Sequence, residues 1–189
     1  MKAKNQRNLP VSIADIASYK QDDHTIAQII LFHEPSHRAF SIYTGYTEAI
    51  AIAMGMREEI TTIRPTSQDF AANLLKASGV KVNKVIISEI IADVFYATVN
   101  IKSGMTLREV DARPSDAIAL AVQMKAPLFA SEAILDAISI QVPAGKQPTE
   151  RGINKLLQPY VQTPDTEYIT DTDDDVPKTT EDIILEAFV

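Results

Sequence analysis

The sequence predicts an α+β fold: one compact domain in which a mixed or antiparallel sheet is flanked by helices. Apolar runs with strand character come in neighbouring pairs separated by short turns, as in hairpins. Helical segments stand between these pairs without the regular strand–helix alternation of a doubly wound parallel sheet. The 189 residues, of which 46% are hydrophobic, are enough to bury one substantial core.

The strands are predicted from β-branched and apolar runs. Residues 26–32 form such a run, residues 33–37 contain Pro35 and predict a turn, and residues 39–43 return as the second strand of a hairpin. In the segment 94–101, apolar and polar residues alternate, which is the period expected when one face of a sheet is buried. The other predicted strands are 84–91 and 106–111, with shorter candidates at 11–13 and 128–130.

Two helices are predicted from their N-terminal capping residues. Thr47 is expected to cap the first helix. Thr66 is expected to cap the second helix, and Asp69 completes a capping box with it. Phe70, Leu74 and Ala77 are predicted to form the buried stripe of this second helix.

Further helices are expected in the C-terminal half. A third helix starts at Pro114, and residues 117–124 are apolar nearly all round, which predicts burial on most sides. Shorter helices are predicted after Ser131 and at 149–158, the latter ending before Pro159.

The negative charge is concentrated at the C-terminus. The whole chain has a formal net charge of −7, and residues 163–189 alone carry nine acidic side chains and one basic side chain. The remaining 17 basic and 16 acidic residues nearly cancel, so the charge of the body neither indicates nor excludes nucleic-acid binding. We therefore predict a domain at 1–160 and an acidic, flexible tail at 161–189, with a short terminal helix whose apolar side contains Ile184, Leu185 and Phe188.

Several classes of protein are excluded or disfavoured. The absence of cysteine excludes disulfides, thiolate metal sites and a cysteine nucleophile. The polar N-terminus is not followed by the apolar stretch of a signal peptide, and no apolar run is long enough to span a bilayer. We therefore expect a cytoplasmic protein without a membrane partner.

The segment His33–His37 spells HExxH, the zinc-protease motif. That motif requires a helix that places both histidines on one face. Pro35 lies between them, and proline inside a helix removes a hydrogen bond and clashes with the preceding turn. The string is therefore predicted to be a hairpin turn and not a zinc site.

The most informative cluster of charged residues surrounds the start of the third helix. Asp111 and Arg113 are two residues apart at a predicted strand end, so we expect their side chains to point the same way, and Asp116 follows in the helix start. A second arginine–proline turn occurs at Arg64, before Thr66 and Asp69. A purely structural role is the alternative: Ser115 and Asp116 would cap the helix, while Arg113 pairs with a neighbouring carboxylate.

These residues also carry a resemblance to a known family. The string DARPSDAIALAV, residues 111–122, resembles the signature of the bifunctional nuclease domain family. Other segments similar to the family's motifs occur in the same order, so that the resemblance covers about residues 25–142. They are GYTEAIAI at 45–52, RPTSQD at 64–69, VFYA at 94–97 and APL at 126–128.

The resemblance implies hydrolysis of DNA and RNA backbones, and hence a nucleic-acid partner. Phosphodiester cleavage needs an activated water and stabilisation of negative charge. The expected catalytic residues or metal ligands are Glu48, Asp69, Asp111 and Asp116, with Mg²⁺ or Mn²⁺ as the expected cofactor, most of all at Glu48, Asp111 and Asp116. Arg64, Arg113, Gln68 and Ser115 are the expected substrate-binding residues.

One position departs from the family pattern. The family commonly has histidine where this chain has Gln68, and glutamine does not exchange a proton at neutral pH. The competing hypothesis is therefore a non-catalytic binding or assembly module in which the arginine–proline turns are structural. A homodimer is expected from the frequency of two-fold oligomers, and the acidic tail is a candidate contact for a protein partner.

Overall fold

The computed structural model describes residues 7–21, 24–57, 60, 64–160 and 179–188. Within these ranges, nine strands form two sheets and are accompanied by six α-helices, which confirms the predicted α+β class. In the described part of the chain, no helix has the length and apolar character needed to cross a membrane. The strands are β1 (Asn8–Pro10), β2 (Ser12–Gln21), β3 (His24–His33), β4 (Arg38–Gly45), β5 (Val80–Ile91), β6 (Val94–Ser103), β7 (Thr106–Ala112), β8 (Leu128–Ser131) and β9 (Ile140–Gln141). The helices are α1 (Tyr46–Gly55), α2 (Ser67–Ala77), α3 (Pro114–Gln123), α4 (Glu132–Ile138), α5 (Arg151–Leu157) and α6 (Thr180–Glu186).

The predicted N-terminal hairpin is confirmed as the antiparallel pair β3–β4, at the centre of a four-stranded sheet in the order β2-β3-β4-β9. The HExxH string lies in the connection between them. Residues Glu34–Ser36 form a short 3₁₀ turn, and His37 adopts the left-handed conformation with φ of 49°. His33 ends β3 and donates from Nδ1 to the carbonyl oxygen of Pro10 at 2.7 Å. The interpretation as a hairpin turn is therefore confirmed.

Strand β2 is much longer than the predicted 11–13. The prediction stopped early because a buried carboxylate, Asp15, interrupts the apolar pattern of the strand. Asp15 lies at an irregularity in the β2–β3 register and is 4% exposed. It accepts hydrogen bonds from the backbone N–H groups of Ile16 at 2.8 Å, Gly152 at 3.0 Å and Ile153 at 2.9 Å. It thereby satisfies the start of α5 from another element. A side chain at position 152 would collide with the backbone carbonyl of Ile16, so only glycine allows this approach.

The second sheet has five strands in the order β1-β8-β5-β6-β7, with β5–β8 parallel and the other pairs antiparallel. The predicted alternation along β6 is confirmed, because Ala97 and Val99 face the core while their neighbours are more exposed. Strand β7 is the edge strand and pairs only with β6 among the described strands. Helices α2, α3 and α4 contact β5, and α3 also contacts β6.

Helix α3 confirms the prediction of a helix that is buried on most sides. It contacts α1, α2, β5 and β6. The residues that it buries are mostly small: Ser115, Ala117, Ile118, Ala119 and Ala121. Small side chains allow helix axes to approach closely, so that α3 joins α1 and α2 into one layer.

The predicted N-cap of α1 is two residues too late, and the predicted buried stripe of α2 lies on the wrong face of the helix. Gly45, and not Thr47, precedes the first helical residue of α1. The capping box of Thr66 and Asp69 is confirmed, but Phe70 and Leu74 are 64% and 55% exposed and Ala77 is also exposed. Ala72 is the residue of α2 that is buried, and Leu75 is half-buried beside α3. The inward face of α2 is therefore rotated away from Phe70 and Leu74.

The C-terminal helix is present and packs on the outer face of the four-stranded sheet. Ile183, Ile184, Ala187 and Phe188 form a second buried cluster with residues of β2, β3 and β4. The rings of Phe188 and Phe32 meet edge to face, with their centroids 4.9 Å apart. The acidic segment that the sequence predicts to be flexible, 161–178, lies outside the described residues, and the boundary at 160 stays a prediction.

Replacing Phe188 with alanine should lower the free energy of unfolding by about 3–5 kcal/mol, because it empties a buried aromatic position. The matched control is Phe70→Ala on the exposed face of α2, for which we expect a change within about 0.5 kcal/mol. Urea unfolding followed by circular dichroism measures both. Equal losses in the two variants would contradict the packing of α6 on the sheet.

Candidate functional site

The first turns of α1 and α3 meet at Arg113, the residue that immediately precedes α3. Its Nε donates to Asp116 Oδ2 at 2.7 Å and its Nη2 donates to Asp116 Oδ1 at 3.1 Å. The same Nη2 lies 3.5 Å from Glu48 Oε1 in the first turn of α1. One guanidinium therefore bridges two carboxylates that are 68 residues apart in the sequence.

This cluster is open to solvent. The side chain of Arg113 is 68% exposed, that of Asp116 41% and that of Glu48 26%. The hydrogen bonds and the charge of Asp116 raise the pKa of Arg113 further above its usual value, so that it stays a cation. Exposed ion pairs contribute little to folding stability. An exposed cation with two carboxylates is therefore better suited to bind a charged ligand than to stabilise the fold.

Gly45 leaves room for the carboxylate of Glu48. The Glu48 side chain folds back over the start of α1, and a Cβ atom at position 45 would overlap its Oε2 atom. A carboxylate at this place also faces the positive end of the helix dipole. Glycine at position 45 thus helps to keep Glu48 within reach of Arg113.

An apolar cleft of about 300 Å³ lies beside the cluster, between α2, α3 and the strands β6 and β7. Asp116 lines this cleft from α3, and Gln68 lines it from the first turn of α2. The cluster and the cleft therefore share Asp116. Apart from Ser67, the other lining residues are aliphatic: Ala71, Leu75, Val99, Ile101, Val110, Ala112 and Leu120.

The other residues proposed around α2 and α3 have less direct connections with the cluster. The carboxylate of Asp69 accepts from the backbone N–H and the hydroxyl of Thr66, both at 2.8 Å, as part of the capping box. Arg64 is exposed just before this helix, and Ser115 is buried in the first turn of α3. The structure therefore brings Glu48, Arg113, Asp116 and Gln68 together, and it assigns Asp69 a capping interaction.

Asp111 lies on the other side of the sheet. Strand β7 ends at Ala112, and Arg113 follows it with an extended backbone as the residue before α3, so the expectation that Asp111 and Arg113 point the same way stays a prediction. Val110 and Ala112 line the cleft, and neighbouring residues of a strand alternate between faces. The carboxylate of Asp111, opposite Thr98 in the ladder, therefore faces away from the cleft.

The metal-binding capacity of the cluster rests on two side chains. Among the residues that the structure describes, no group of three or more histidine, aspartate or glutamate side chains has the arrangement of a metal site. Glu48 and Asp116 are the two carboxylates that the fold brings to one arginine. Mg²⁺ is commonly held by one or two carboxylates together with water and substrate phosphates.

The aliphatic part of the site and Gly45 are absent from the sequence-based candidates. The alternation along β6 and β7 already predicts that Val99, Ile101 and Val110 share a face. The cleft residues of α2, Ala71 and Leu75, were not predicted, because Phe70 and Leu74 indicated a different face of the helix as the buried one. No local signal connects Gly45 with the site, because the contact between Glu48 and Arg113 depends on how α1 packs against α3.

The family model described as the bifunctional nuclease domain matches residues 29–143, which is more than half of the chain. Two curated relatives come from Mycobacterium tuberculosis: "Uncharacterized protein MT1877" of strain CDC 1551 / Oshkosh and "Uncharacterized protein Rv1829" of strain ATCC 25618 / H37Rv. Each is 29% identical over 116 residues, which cover 61% of this chain and 68% of the relative. The segment that the family model matches contains the whole cluster and the cleft.

Replacing Arg113 with alanine should change the melting temperature by less than about 2 °C, because its ion pairs are exposed. The contrasting variant is Arg57→Ala: the Arg57 side chain is 24% exposed, follows the end of α1 and donates to Glu150, the residue before α5, and to Asn154 within α5. That variant should lose about 3–6 °C. Differential scanning calorimetry compares the two, and a larger loss for Arg113→Ala would show that the cluster is structural.

Proposed function

Because this chain belongs to the bifunctional nuclease domain family, we propose that it is a nuclease that hydrolyses phosphodiester bonds of DNA or RNA. The observation that carries the proposal is the exposed Arg113, held between Glu48 and Asp116 at the edge of a cleft. An arginine that remains a cation can bind phosphate oxygens through two parallel N–H groups. The adjacent carboxylates provide the proton acceptors that hydrolysis needs.

In this proposal, Arg113 binds the scissile phosphate and stabilises the charge that develops on it. Glu48 is the first candidate for the general base, because its contact with Arg113 is long, at 3.5 Å, and leaves carboxylate lone pairs available. Asp116 orients Arg113 through two shorter hydrogen bonds. Gln68 hydrogen-bonds the substrate but does not exchange a proton, so the base must be a carboxylate.

The remaining expected residues have supporting roles in the proposal. Arg64 would contact a neighbouring phosphate, and Ser115 would contact the substrate from the first turn of α3. Asp69 would act by fixing the start of α2, and through it Gln68, because its carboxylate is engaged by Thr66. Asp111 has no role at the cleft in this proposal, because strand alternation points it away from the face that Val110 and Ala112 line.

A divalent cation, Mg²⁺ or Mn²⁺, is part of the proposal. Glu48 and Asp116 would hold it, and the phosphate oxygens of the substrate would complete its coordination. When bound, such a cation polarises the phosphoryl group and lowers the pKa of a coordinated water. Arg113 would then contribute a second positive charge on the phosphate.

The first test is hydrolysis of labelled single- and double-stranded DNA and RNA by purified protein, with Mg²⁺, Mn²⁺ or EDTA. We expect metal-dependent cleavage that falls about 100-fold or more in Glu48→Gln and in Asp116→Asn. The matched control is Asp111→Asn, an equivalent change on the opposite face of the sheet, and it should retain the wild-type rate.

Contaminating nuclease is the main source of false activity in this assay, so all variants are purified in parallel. Equal activity in the wild type, Glu48→Gln and Asp116→Asn would show that the cleavage comes from another protein. Loss in Asp111→Asn with full activity in Asp116→Asn would move the site to the other face of the sheet.

A second candidate function, a non-catalytic assembly module, is favoured by exposed apolar surface. Helix α2 exposes Phe70 and Leu74, while Val110 on the edge strand β7 is 45% exposed. Exposed apolar residues beside an unpaired strand edge are typical of surfaces that other chains cover. The expected homodimer would use this face.

The dimer predicts a measurable change of mass. In size-exclusion chromatography with light scattering, the wild type should elute as a dimer and Phe70→Ser/Leu74→Ser as a monomer. The control is Ile91→Ser/Val94→Ser, which removes similarly exposed apolar residues at the far end of the β5–β6 hairpin. A monomeric wild type, or a dimer that survives the α2 change, would contradict assembly through α2.

A further inference from the structure

We propose that the apolar cleft between α2, α3, β6 and β7 binds one unpaired nucleobase of the nucleic acid whose phosphate contacts Arg113. This inference rests on the proposed function and specifies its substrate as single-stranded or locally unpaired. Three features of the cleft support it: the aliphatic walls, the polar side chains of Ser67, Gln68 and Asp116 on its lining, and the exposed cation beside it.

The walls suit a flat ring. Val99 and Ile101 line the cleft from the sheet, while Leu75 and Leu120 line it from the two helices. The volume of about 300 Å³ is at the lower end of the range for ligand sites, which favours one ring system over an extended molecule. A base that leaves its stack exposes two apolar faces, and aliphatic walls remove those faces from water.

The polar lining distinguishes a base from a purely apolar occupant. The Gln68 amide offers both donors and an acceptor, and the Asp116 carboxylate accepts only. The edge of every nucleobase combines N–H donors with oxygen or nitrogen acceptors. An alkyl chain or an aliphatic side chain of a partner protein would remove water from Gln68 and Asp116. It would offer no hydrogen bonds in place of those that the two side chains had made with water.

The position of Arg113 determines which part of the nucleic acid lies outside. Asp116 lines the cleft and is bound by Arg113, whose side chain is 68% exposed. A base in the cleft would therefore place its own backbone phosphate near the guanidinium. A base that remains paired in a duplex cannot enter, because its edge is occupied and both of its faces are stacked.

The test uses Ala71 and Ala77, two exposed alanines on the same helix. Ala71 lines the cleft and Ala77 does not, so Ala71→Leu narrows the cleft while Ala77→Leu is the matched control. The probe is a fluorescein-labelled single-stranded oligonucleotide of about ten nucleotides, compared with an abasic version of the same length. Anisotropy is measured in EDTA, and hydrolysis is followed separately.

We expect Ala71→Leu to bind the base-containing oligonucleotide at least about tenfold more weakly than the wild type does. Ala77→Leu should bind it with the affinity of the wild type. The wild type should also bind the abasic oligonucleotide at least about tenfold more weakly, and Ala71→Leu should bind the two probes alike. Gln68→Leu should weaken binding of the base-containing probe without affecting the abasic one.

Equal wild-type affinity for the two probes, or an unchanged affinity in Ala71→Leu, would overturn the inference. Binding that depends on Arg113 but not on the bases would overturn it as well, because it would reflect the phosphates alone. Base-dependent binding without hydrolysis would retain the cleft and reject the nuclease. Hydrolysis without dependence on Ala71 would retain the nuclease and reject the cleft as its base-binding site.

Discussion

The close packing of α3 against α1, α2 and the five-stranded sheet is the constraint from which the candidate site follows. Helix α3 reaches all of these neighbours because the side chains that it buries are mostly alanine. Its first turn is thereby brought beside the first turns of the other two helices. Glu48 from α1, Gln68 from α2 and Asp116 from α3 approach one another for this reason, although they are distant in the sequence.

Two carboxylates of this protein show how the surroundings separate structural from functional charge. Asp15 is 4% exposed and accepts from three backbone N–H groups, so its negative charge is fully used in joining β2 to α5. Asp116 is an order of magnitude more exposed, and its carboxylate accepts from the solvent-exposed guanidinium of Arg113. A ligand can compete for the second carboxylate but not for the first, because water and substrate reach only the second.

The fold was predictable where the pattern is local, and less so where a distant element decides. The β3–β4 hairpin, the alternation of β6 and the buried α3 follow from their own residues. The length of β2 does not, because Asp15 interrupts its apolar pattern and finds its partners at Gly152 and Ile153. The stripe of α2 was assigned to Phe70 and Leu74, whereas the packing against α3 turns Ala72 and Leu75 inward and leaves Phe70 and Leu74 exposed.

The sequence by itself determined the α+β class, the capping box of α2, the turn at HExxH and the pairing of Arg113 with a neighbouring carboxylate. Each of these depends on neighbours within a few residues, where backbone geometry fixes the outcome. Only the tertiary structure decided that Glu48 joins this pair, that Asp111 faces away and that a cleft opens beside Gln68. It also decided that α6 covers the second face of β3. These outcomes depend on which surfaces pack together, and packing between distant segments is not encoded in any local pattern.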